Sequence, residues 1–279
     1  MNKTKYFWTA LKIFGSLGVV FSAVFLALAY GWLGIHDGPG IITQSPIPKE
    51  IISQRTTKQL NSANSVGQDG AQQILFGDLH AHTTLSFDAF IGSLPMMHGE
   101  GSRPLADACD FARFCSALDF WSINDHAEAS TPRRWSETVE SIQQCNAVGG
   151  NGQNPDTVAF LGWEWTQVGA TPETHYGHKN VIFRDIETKN VPSRPIHSGG
   201  IANTALRGLP LRNGPLLFAL DPNQRMLDFN LYLHELRQSE ECEKGKNVWD
   251  LPNNCRESAE TPSELFSKLD EWGFESMVI

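Results

Sequence analysis

The sequence predicts an α/β fold with parallel strands. From residue 74 onward, short apolar runs typical of strands alternate with segments whose apolar residues recur at helical spacing. Threonine-proline pairs mark helix starts, and glycines mark helix ends. This order of elements is typical of a parallel sheet covered by helices.

An apolar N-terminal segment precedes this domain and predicts one membrane-spanning helix within residues 1 to 36. The run from Ile13 to Ile35 carries no charged residue, whereas lysines precede it and Asp37 follows it. At about 1.5 Å per residue, a helix of this length reaches roughly 35 Å and crosses a hydrocarbon core of about 30 Å. The lysines on the N-terminal side predict that the following chain is exported.

Two fates of this segment fit the sequence. Ala27-Leu28-Ala29 matches the small-x-small pattern at which signal peptides are cut, so a protein cleaved after Ala29 would be secreted. The apolar run is longer than the ~7–15 residues usual in a signal peptide, which favours an uncleaved anchor. We therefore expect a membrane-anchored protein that faces the periplasm or the extracellular side.

The composition of the rest of the chain separates a linker from a domain and argues against one class of partner, nucleic acids. Residues 37 to 73 are rich in proline, glycine and small polar side chains and are predicted to be a flexible linker. Residues 74 to 279 then form one domain. The formal net charge of -9 argues against nucleic-acid binding. The expected substrate is a small molecule whose identity the sequence leaves open.

The first half of the domain contains four predicted elements. Residues 74–76 are apolar and lead into a strand that ends at His80, and a helix follows from Pro104 to Leu118. The strand at 120–123 precedes a helix that starts at Thr131-Pro132 and reaches about residue 148, before two glycines.

The second half is less regular. Strands are predicted at 157–165 and 179–184, whereas residues 190–221 have no clear pattern. A helix from 222 to 241 follows. The last helix, 261–272, begins with a Thr-Pro-Ser-Glu capping box and precedes a strand at 276–279.

Five cysteines are compatible with an oxidising compartment. Cys242 and Cys255 flank a polar stretch that contains proline, and we predict a disulfide between them. Cys109, Cys115 and Cys145 leave an odd number, so one of them is expected to be free and buried. The sequence has no Cys-x-x-C pair, which argues against a cysteine-based zinc site.

His80-Ala81-His82 stands at the end of the first predicted strand. Residues two apart on a strand point to the same side, so both imidazoles can face one metal ion. In parallel α/β folds, sites form at the carboxyl ends of strands. A pair of histidines alone is equally compatible with solvated side chains.

Further ligand-type residues follow the neighbouring strands. Asp125-His126 follows the second strand, Glu164 lies in the third among apolar neighbours, and His178 precedes the fourth. Asp88 lies in the loop after His82, and His175 is a possible pocket residue. Imidazoles combined with carboxylates suit Zn, Mn or Fe better than Ca or Mg.

No other catalytic motif competes with this pattern. The sequence contains no Gly-x-Ser-x-Gly elbow and no P-loop. The remaining histidines, His98, His197 and His234, are predicted to be surface or capping residues.

Four ordered segments resemble the motifs of the PHP (polymerase and histidinol phosphatase) superfamily. They are residues 76–89, 118–128, 160–166 and 177–183. The residues in these segments are most similar to those of an uncharacterised branch of exported PHP-like proteins, a domain of unknown function. The resemblance extends over about residues 74 to 279.

The resemblance implies a distorted (βα)7 TIM-like barrel that holds two or three divalent metal ions. The implied metal ligands are His80, His82, Asp88, His126, Glu164 and His178. Asp78 and Asp125 would lie behind the ligands and orient the imidazoles beside them.

The sequence departs from the family pattern in two places. The second motif has Asn124 before Asp125 where threonine is usual. A later histidine and an Asp-x-His near the end of the family pattern have no counterpart in this sequence. The sequence therefore offers six candidate ligands where the family pattern has nine. We therefore expect a C-terminally truncated domain and an incomplete, open barrel with unpaired strand edges.

These observations support a metal-dependent hydrolase, most simply a phosphoesterase that uses a metal-activated water. An amidohydrolase-type enzyme that cleaves C–N or ester bonds is an alternative, because such sites also open with His-x-His. A membrane-tethered module that binds metal or ligand without catalysis is a third, since the fragment alone can be inactive.

Overall fold

The computed structural model describes residues 3–35, 38–67, 74–92, 103–150 and 155–279. The helices are α1 (Lys3–Ala29), α2 (Lys49–Ser65), α3 (Phe87–Gly92), α4 (Leu105–Asp110), α5 (Pro132–Val148), α6 (Ile201–Leu220), α7 (Gln224–Gln238) and α8 (Pro262–Trp272). The strands are β1 (Gly77–Ala81), β2 (Phe120–Ile123), β3 (Val158–Gln167), β4 (Gly177–Phe183), β5 (Ile196–His197), β6 (Glu257–Ser258) and β7 (Ser276–Val278).

One five-stranded mixed sheet organises the domain, in the order β1-β2-β3-β4-β7. β1, β2 and β3 are parallel, as the sequence predicts. β4 is antiparallel to both of its neighbours, β3 and β7, so the expectation of a wholly parallel sheet is wrong. The short connection from β3 to β4 holds a single 3-10 turn and no crossover helix, so the chain reverses direction there.

The sheet is open among the residues that the structure describes. β1 and β7 lie at its two edges, and no pairing joins them into a barrel. β5 and β6 form a separate two-stranded pair. The described fold is therefore mixed α/β, and the distorted seven-stranded barrel stays an expectation from the resemblance.

Tryptophans form the centre of the main core, between the sheet and helices α4, α5 and α8. Trp163 in β3 is 1% exposed and packs edge-on against Trp135 of α5, with the ring centroids 5.5 Å apart. Its other neighbour is Phe183 of β4, at 5.1 Å. This packing fixes β3, which carries Glu164, against helix α5.

The segment predicted as a flexible linker is partly helical and docked on the domain. In α2, Gln59 donates to both carboxylate oxygens of Asp119, at 2.7 and 2.8 Å, and Arg55 donates to the carbonyl of Ala117. Ile42 is buried in the main core. These contacts depend on distant residues, so the polar composition of the segment does not reveal them.

A second core joins α1 to the hairpin formed by α6 and α7. α6 lies within residues 190–221, for which no regular element was predicted; its internal glycines and prolines are atypical of helices. Phe25 of α1 packs on Phe218 of α6 with centroids 5.5 Å apart, and Ala29 is fully buried. The side chain of Arg237 in α7 donates to the carbonyl of Tyr30 at 3.2 Å.

α1 is long and apolar enough to cross a membrane. Residues Lys5–Ala29 have a mean hydropathy of 2.1, and the apolar stretch within them is not buried inside the protein. This agrees with the predicted anchor or export signal. The same length and composition also fit a signal sequence.

The cysteines form two disulfides. Cys242 is bonded to Cys255, and Cys109 of α4 is bonded to Cys145 of α5. Cys115 is free, as the odd number requires, but it is exposed and not buried as expected. It ends the π-helical turn that follows α4, at the surface.

Candidate metal centre

The predicted ligands converge at the carboxyl ends of the parallel strands. His80 lies on β1, and His82 follows that strand directly. His126 follows β2 and forms an isolated parallel bridge with Glu164 of β3. On the antiparallel side, Thr166 of β3 is in register with His178 of β4. The sheet register therefore brings residues distant in sequence to one edge.

Glu164 is the centre of the cluster and is 1% exposed. Its Oε2 atom lies 2.9 Å from Nε2 of His80 and 2.9 Å from Nε2 of His82. The same oxygen is 3.6 Å from Nε2 of His126. The other oxygen, Oε1, contacts Nδ1 of His178.

Asp88, at the start of α3, closes the cluster on another side. Its carboxylate lies 3.2 Å from Nδ1 of His82 and 3.4 Å from Nε2 of His126. The hydroxyl of Ser86 donates to Asp88 at 2.6 Å and lies 3.0 Å from Nδ1 of His82. Asp88 is thereby held between two imidazoles.

Three overlapping groups of side chains have ligand atoms that all lie within 4.8 Å of one another. They are His80, His82 and Glu164; His82, Asp88 and His126; and His126, Glu164 and His178. All six predicted ligands belong to at least one group.

The electrostatics of the cluster are those of paired imidazolium and carboxylate groups. Burial disfavours the charged forms, but the contacts of His82 with the carboxylates of Asp88 and Glu164 outweigh it and raise the pKa of His82 to about 9. Asp88 and Glu128 likewise raise the pKa of His126 to about 10 against the effect of burial. Burial opposes ionisation of Glu164 too, yet His82 and His126 lower its pKa to about 2.

The side chains present fit a transition-metal site. Nε2 of His82 is buried and has no hydrogen bond, although an oxygen of Glu164 lies 2.9 Å away in an ion-pair contact. A buried nitrogen without a hydrogen bond is costly unless another partner satisfies it. Imidazole nitrogens and carboxylate oxygens that point at common positions are the donor set of Zn, Mn and Fe sites.

The two aspartates predicted behind the ligands contact the main chain around the His-x-His segment. Asp125 accepts hydrogen bonds from the backbone N–H and the hydroxyl of Thr83, at 2.6 and 2.7 Å. Burial raises the pKa of Asp125, and these two donors oppose that rise. Asp78 is exposed and accepts from the backbone N–H of His80 at 2.9 Å. Both therefore position the segment rather than the imidazole rings.

Sequence reasoning missed two residues that support the cluster, Glu128 and Thr166. Glu128 is fully buried; its Oε1 accepts from the backbone N–H groups of Thr166 and Ser198, and its Oε2 lies 3.6 Å from Nδ1 of His126. The hydroxyl of Thr166 lies 2.8 Å from His126 Nδ1 and 3.1 Å from His178 Nδ1. Thr166 is two positions after Glu164 on one strand, a signal that could have identified it.

The other histidines lie outside the cluster. His175, the possible pocket residue, is exposed after the 3-10 turn between β3 and β4. His197, predicted to be a surface or capping residue, is buried; its Nε2 lies 2.8 Å from Glu241, and its Nδ1 accepts from the backbone N–H of Gly199. His234 is half-buried on α7. The prediction for His98 lies outside the described residues.

Comparison with known families found one match. The model of a protein family of unknown function, DUF3604, matches residues 69–132. Neither the curated proteins nor the solved structures contain a match. The matched segment includes β1, β2 and the candidate ligands His80, His82, Asp88 and His126, and it ends before Glu164 and His178.

Proposed function

We propose that this protein is a metal-dependent hydrolase, most simply a phosphoesterase. One observation carries the proposal: four imidazoles and two carboxylates from separate elements converge around Glu164, with ligand atoms within 4.8 Å in each group. Clustered titratable groups with strongly shifted pKa values are candidates for functional sites.

The three groups would hold two or three divalent ions. His80, His82 and Glu164 form one position, and His126, Glu164 and His178 form another, with the carboxylate of Glu164 common to both. His82, Asp88 and His126 form the third. Divalent ions at such positions supply Lewis acidity, which activates water and offsets negative charge on a phosphoryl group.

The exposure of the ligands indicates the side from which a substrate approaches. The side chains of His80 and His178 are 48% and 55% exposed, whereas those of His126 and Glu164 are 3% and 1% exposed. The buried pair forms the floor of the cluster, and the exposed pair forms its rim. A small phosphoester would enter across that rim.

Neighbouring side chains hold the ligands without taking part as nucleophiles. The hydroxyl of Ser86 donates to Asp88, and that of Thr166 lies between His126 and His178. Both hydroxyls are therefore engaged in orienting ligands. Such outer contacts fix the ring orientation of metal-binding histidines.

An amidohydrolase-type enzyme is the weaker candidate. Such sites can use a modified lysine between two metal ions, and Lys179 is the lysine adjacent to His178. Its ammonium group donates to the carbonyl of Tyr176 at 2.7 Å and lies 5.4 Å from the ring of Trp165. These contacts direct it away from a bridging role.

We further propose that the domain is exported and held at the membrane by α1. The packing of Phe25 and Ala29 against the α6–α7 hairpin supports an anchor that remains part of the folded protein. The lysines before the apolar run support a location outside the cytoplasm.

The test is turnover by the full-length protein purified in detergent. Chelator-treated protein is reloaded with Mn or Zn and assayed with p-nitrophenyl phosphate, bis(p-nitrophenyl) phosphate, and p-nitrophenyl acetate. We expect metal-dependent cleavage of a phosphoester. Cleavage of the carboxylic ester alone would favour the amidohydrolase alternative, and a fully metallated protein inactive on every substrate would favour a binding module.

A further inference from the structure

A cavity of about 210 Å³ lies between the loop after β1, the first turn of α5 and the first turn of α7. Four arginines line it, together with two acidic residues, Glu137 and Asp228. The arginines are Arg103, Arg133, Arg134 and Arg225. Such a concentration of positive charge is unusual in a chain whose formal net charge is -9.

Arg134 is a buried cation whose hydrogen-bonding capacity is unused. The residue is 4% exposed, and its guanidinium lies 3.8 Å from the centre of the Tyr232 ring. Nε and one terminal nitrogen, Nη2, are buried without a hydrogen bond. The nearest carboxylate oxygen, on Glu235, is 3.4 Å from Nε, an ion-pair contact without hydrogen-bond geometry. Stacking on Tyr232 leaves the edge of the guanidinium plane available to an acceptor.

The acidic side chains near the cavity are already engaged. Glu137 and Glu235 both accept hydrogen bonds from Arg133. Asp228 accepts from the side chain of Gln224 at 2.9 Å. Among the described residues, the side chains of Arg103 and Arg225 have no ion-pair partner. Within the described part of the chain, three of the four guanidinium groups therefore keep free donors, and the charge that lines the cavity is positive.

We propose that this cavity binds the oxyanion of a small molecule, a phosphate-type dianion. The planar guanidinium forks of arginine match the oxygens of such a group, and charge-assisted hydrogen bonds of this kind are the strong ones. Arg134 is the buried anchor, while Arg103 and Arg225 close on the ligand from the rim.

The position of the cavity relates it to the candidate metal centre. Thr84 and Leu85 line the cavity, and they follow the candidate ligand His82 by two and three residues. The inference stands on the arginines alone and does not depend on catalysis at the metal centre.

The test is titration of the full-length, chelator-treated protein in detergent with inorganic phosphate. Thermal unfolding is followed at constant ionic strength, with sodium chloride replaced by phosphate. We expect a saturable rise in Tm, and removal of one charge-assisted contact in Arg225→Gln should weaken the apparent affinity about tenfold. Arg134→Lys, which keeps the charge but loses the fork, should weaken it as well.

Two controls make the experiment decisive. Arg184→Gln removes an exposed arginine paired with Glu275 at the end of β4, and should leave phosphate binding unchanged. His82→Ala tests whether phosphate binds the protonated imidazoles of the other cluster, and should also leave it unchanged. Parallel titrations with sulfate and acetate identify the class of ligand. Saturation by phosphate or sulfate supports the proposal, whereas saturation by acetate alone overturns the proposal that the ligand is a dianion.

Three further results would overturn the proposal. Wild-type protein could show no saturable response to phosphate. Arg184→Gln could weaken binding as much as Arg225→Gln, which would indicate non-specific attraction. His82→Ala could abolish binding while Arg225→Gln retains it, which would place the anion at the histidines.

Discussion

Glu128 shows how a single residue shapes the candidate metal centre without facing its ligand positions. Two backbone N–H groups hold one of its oxygens, and the other oxygen lies 3.6 Å from Nδ1 of His126. Burial opposes its ionisation, but His126 and the two backbone donors lower its pKa. It therefore stays charged beside His126, and it holds the backbone of Thr166, whose hydroxyl lies 2.8 Å from Nδ1 of His126.

The first prediction concerns this positioning role. Glu128→Gln keeps the shape of the side chain but removes the charge behind His126, and we expect metal affinity to fall about 10–100-fold. Competition with a fluorescent zinc chelator measures the affinity of the full-length protein. Glu187→Gln, at an exposed ion pair with Lys189, is the matched control. Equal affinities in the wild type and Glu128→Gln would contradict the assigned role.

The second prediction concerns protons. Without metal, the pKa values of His82 and His126 are raised from 6.5 to about 9 and about 10, so both imidazoles are protonated at pH 7. A metal ion must displace these protons, because only the neutral ring is a ligand. Metal affinity should therefore increase as the pH rises from 6 to 8. Isothermal titration in buffers of different ionisation enthalpy measures the protons released, and a pH-independent affinity without proton release would exclude these histidines as ligands.

The candidate ligands could be predicted from the sequence, whereas most of the residues that contact them could not. The candidates His80, His82, His126 and Glu164 follow from strand ends and from alternation, which are local properties. Glu128 supports the cluster by accepting from Thr166 and Ser198, which lie 38 and 70 residues later. His197 is buried with its Nε2 2.8 Å from Glu241, which lies 44 residues later. Such long-range pairings leave no periodic signal in one sequence.

Helices and strands with local signals at their ends could be predicted, whereas those that depend on distant contacts could not. α5 and α8 lie within a residue of the predicted bounds because threonine caps, proline at the first turn and terminal glycines act locally. α2 and α6 were missed because tertiary contacts, not propensity, stabilise them. The antiparallel β4 could not be predicted from its own residues, because direction depends on the connection before it.

The third prediction tests how α1 joins the domain. Gly31 has a φ of 69° and lies against α7, where an added Cβ would stand 2.2 Å from the carbonyl oxygen of Asn230. Gly31→Ala should therefore separate α1 from α7 and destabilise the protein by about 1–3 kcal/mol, seen as a lower Tm.

The control for this substitution separates crowding from backbone strain. Gly67 has a similar φ of 76°, but nothing lies within 4 Å of its added Cβ, so Gly67→Ala carries the strain without the clash. Gly31→Ala should lower Tm more than Gly67→Ala does. Equal effects would mean that the contact with Asn230 contributes nothing.

At the scale of the whole molecule, an apolar helix, a helical hairpin and an open mixed sheet form one chain of contacts. α1 packs on α6 and α7, and the hydroxyl of Tyr232 in α7 donates to the carbonyl of Leu85, three residues after His82. Helix α1 is thereby connected to the segment that carries the candidate ligands.

The fourth prediction follows from this connection. Because Phe25 and Ala29 are part of the second core, we expect the anchor to be retained after export. Intact-mass spectrometry of the protein from a membrane fraction should find residues 1–29 present. A mature chain that begins at Tyr30 and is recovered in the soluble fraction would show that the segment is a cleaved signal peptide.

Six side chains, Glu164 and the five around it, are proposed to form a metal centre. The most direct measurement is the metal content of the full-length protein by inductively coupled plasma mass spectrometry, after reloading with Zn, Mn or Fe and removal of excess ion. We predict two or three equivalents in the wild type and a marked loss in Glu164→Gln, with Glu275→Gln, an exposed surface change, unaffected. A folded wild-type protein that retains no metal, or a Glu164→Gln variant that retains it all, would contradict the account.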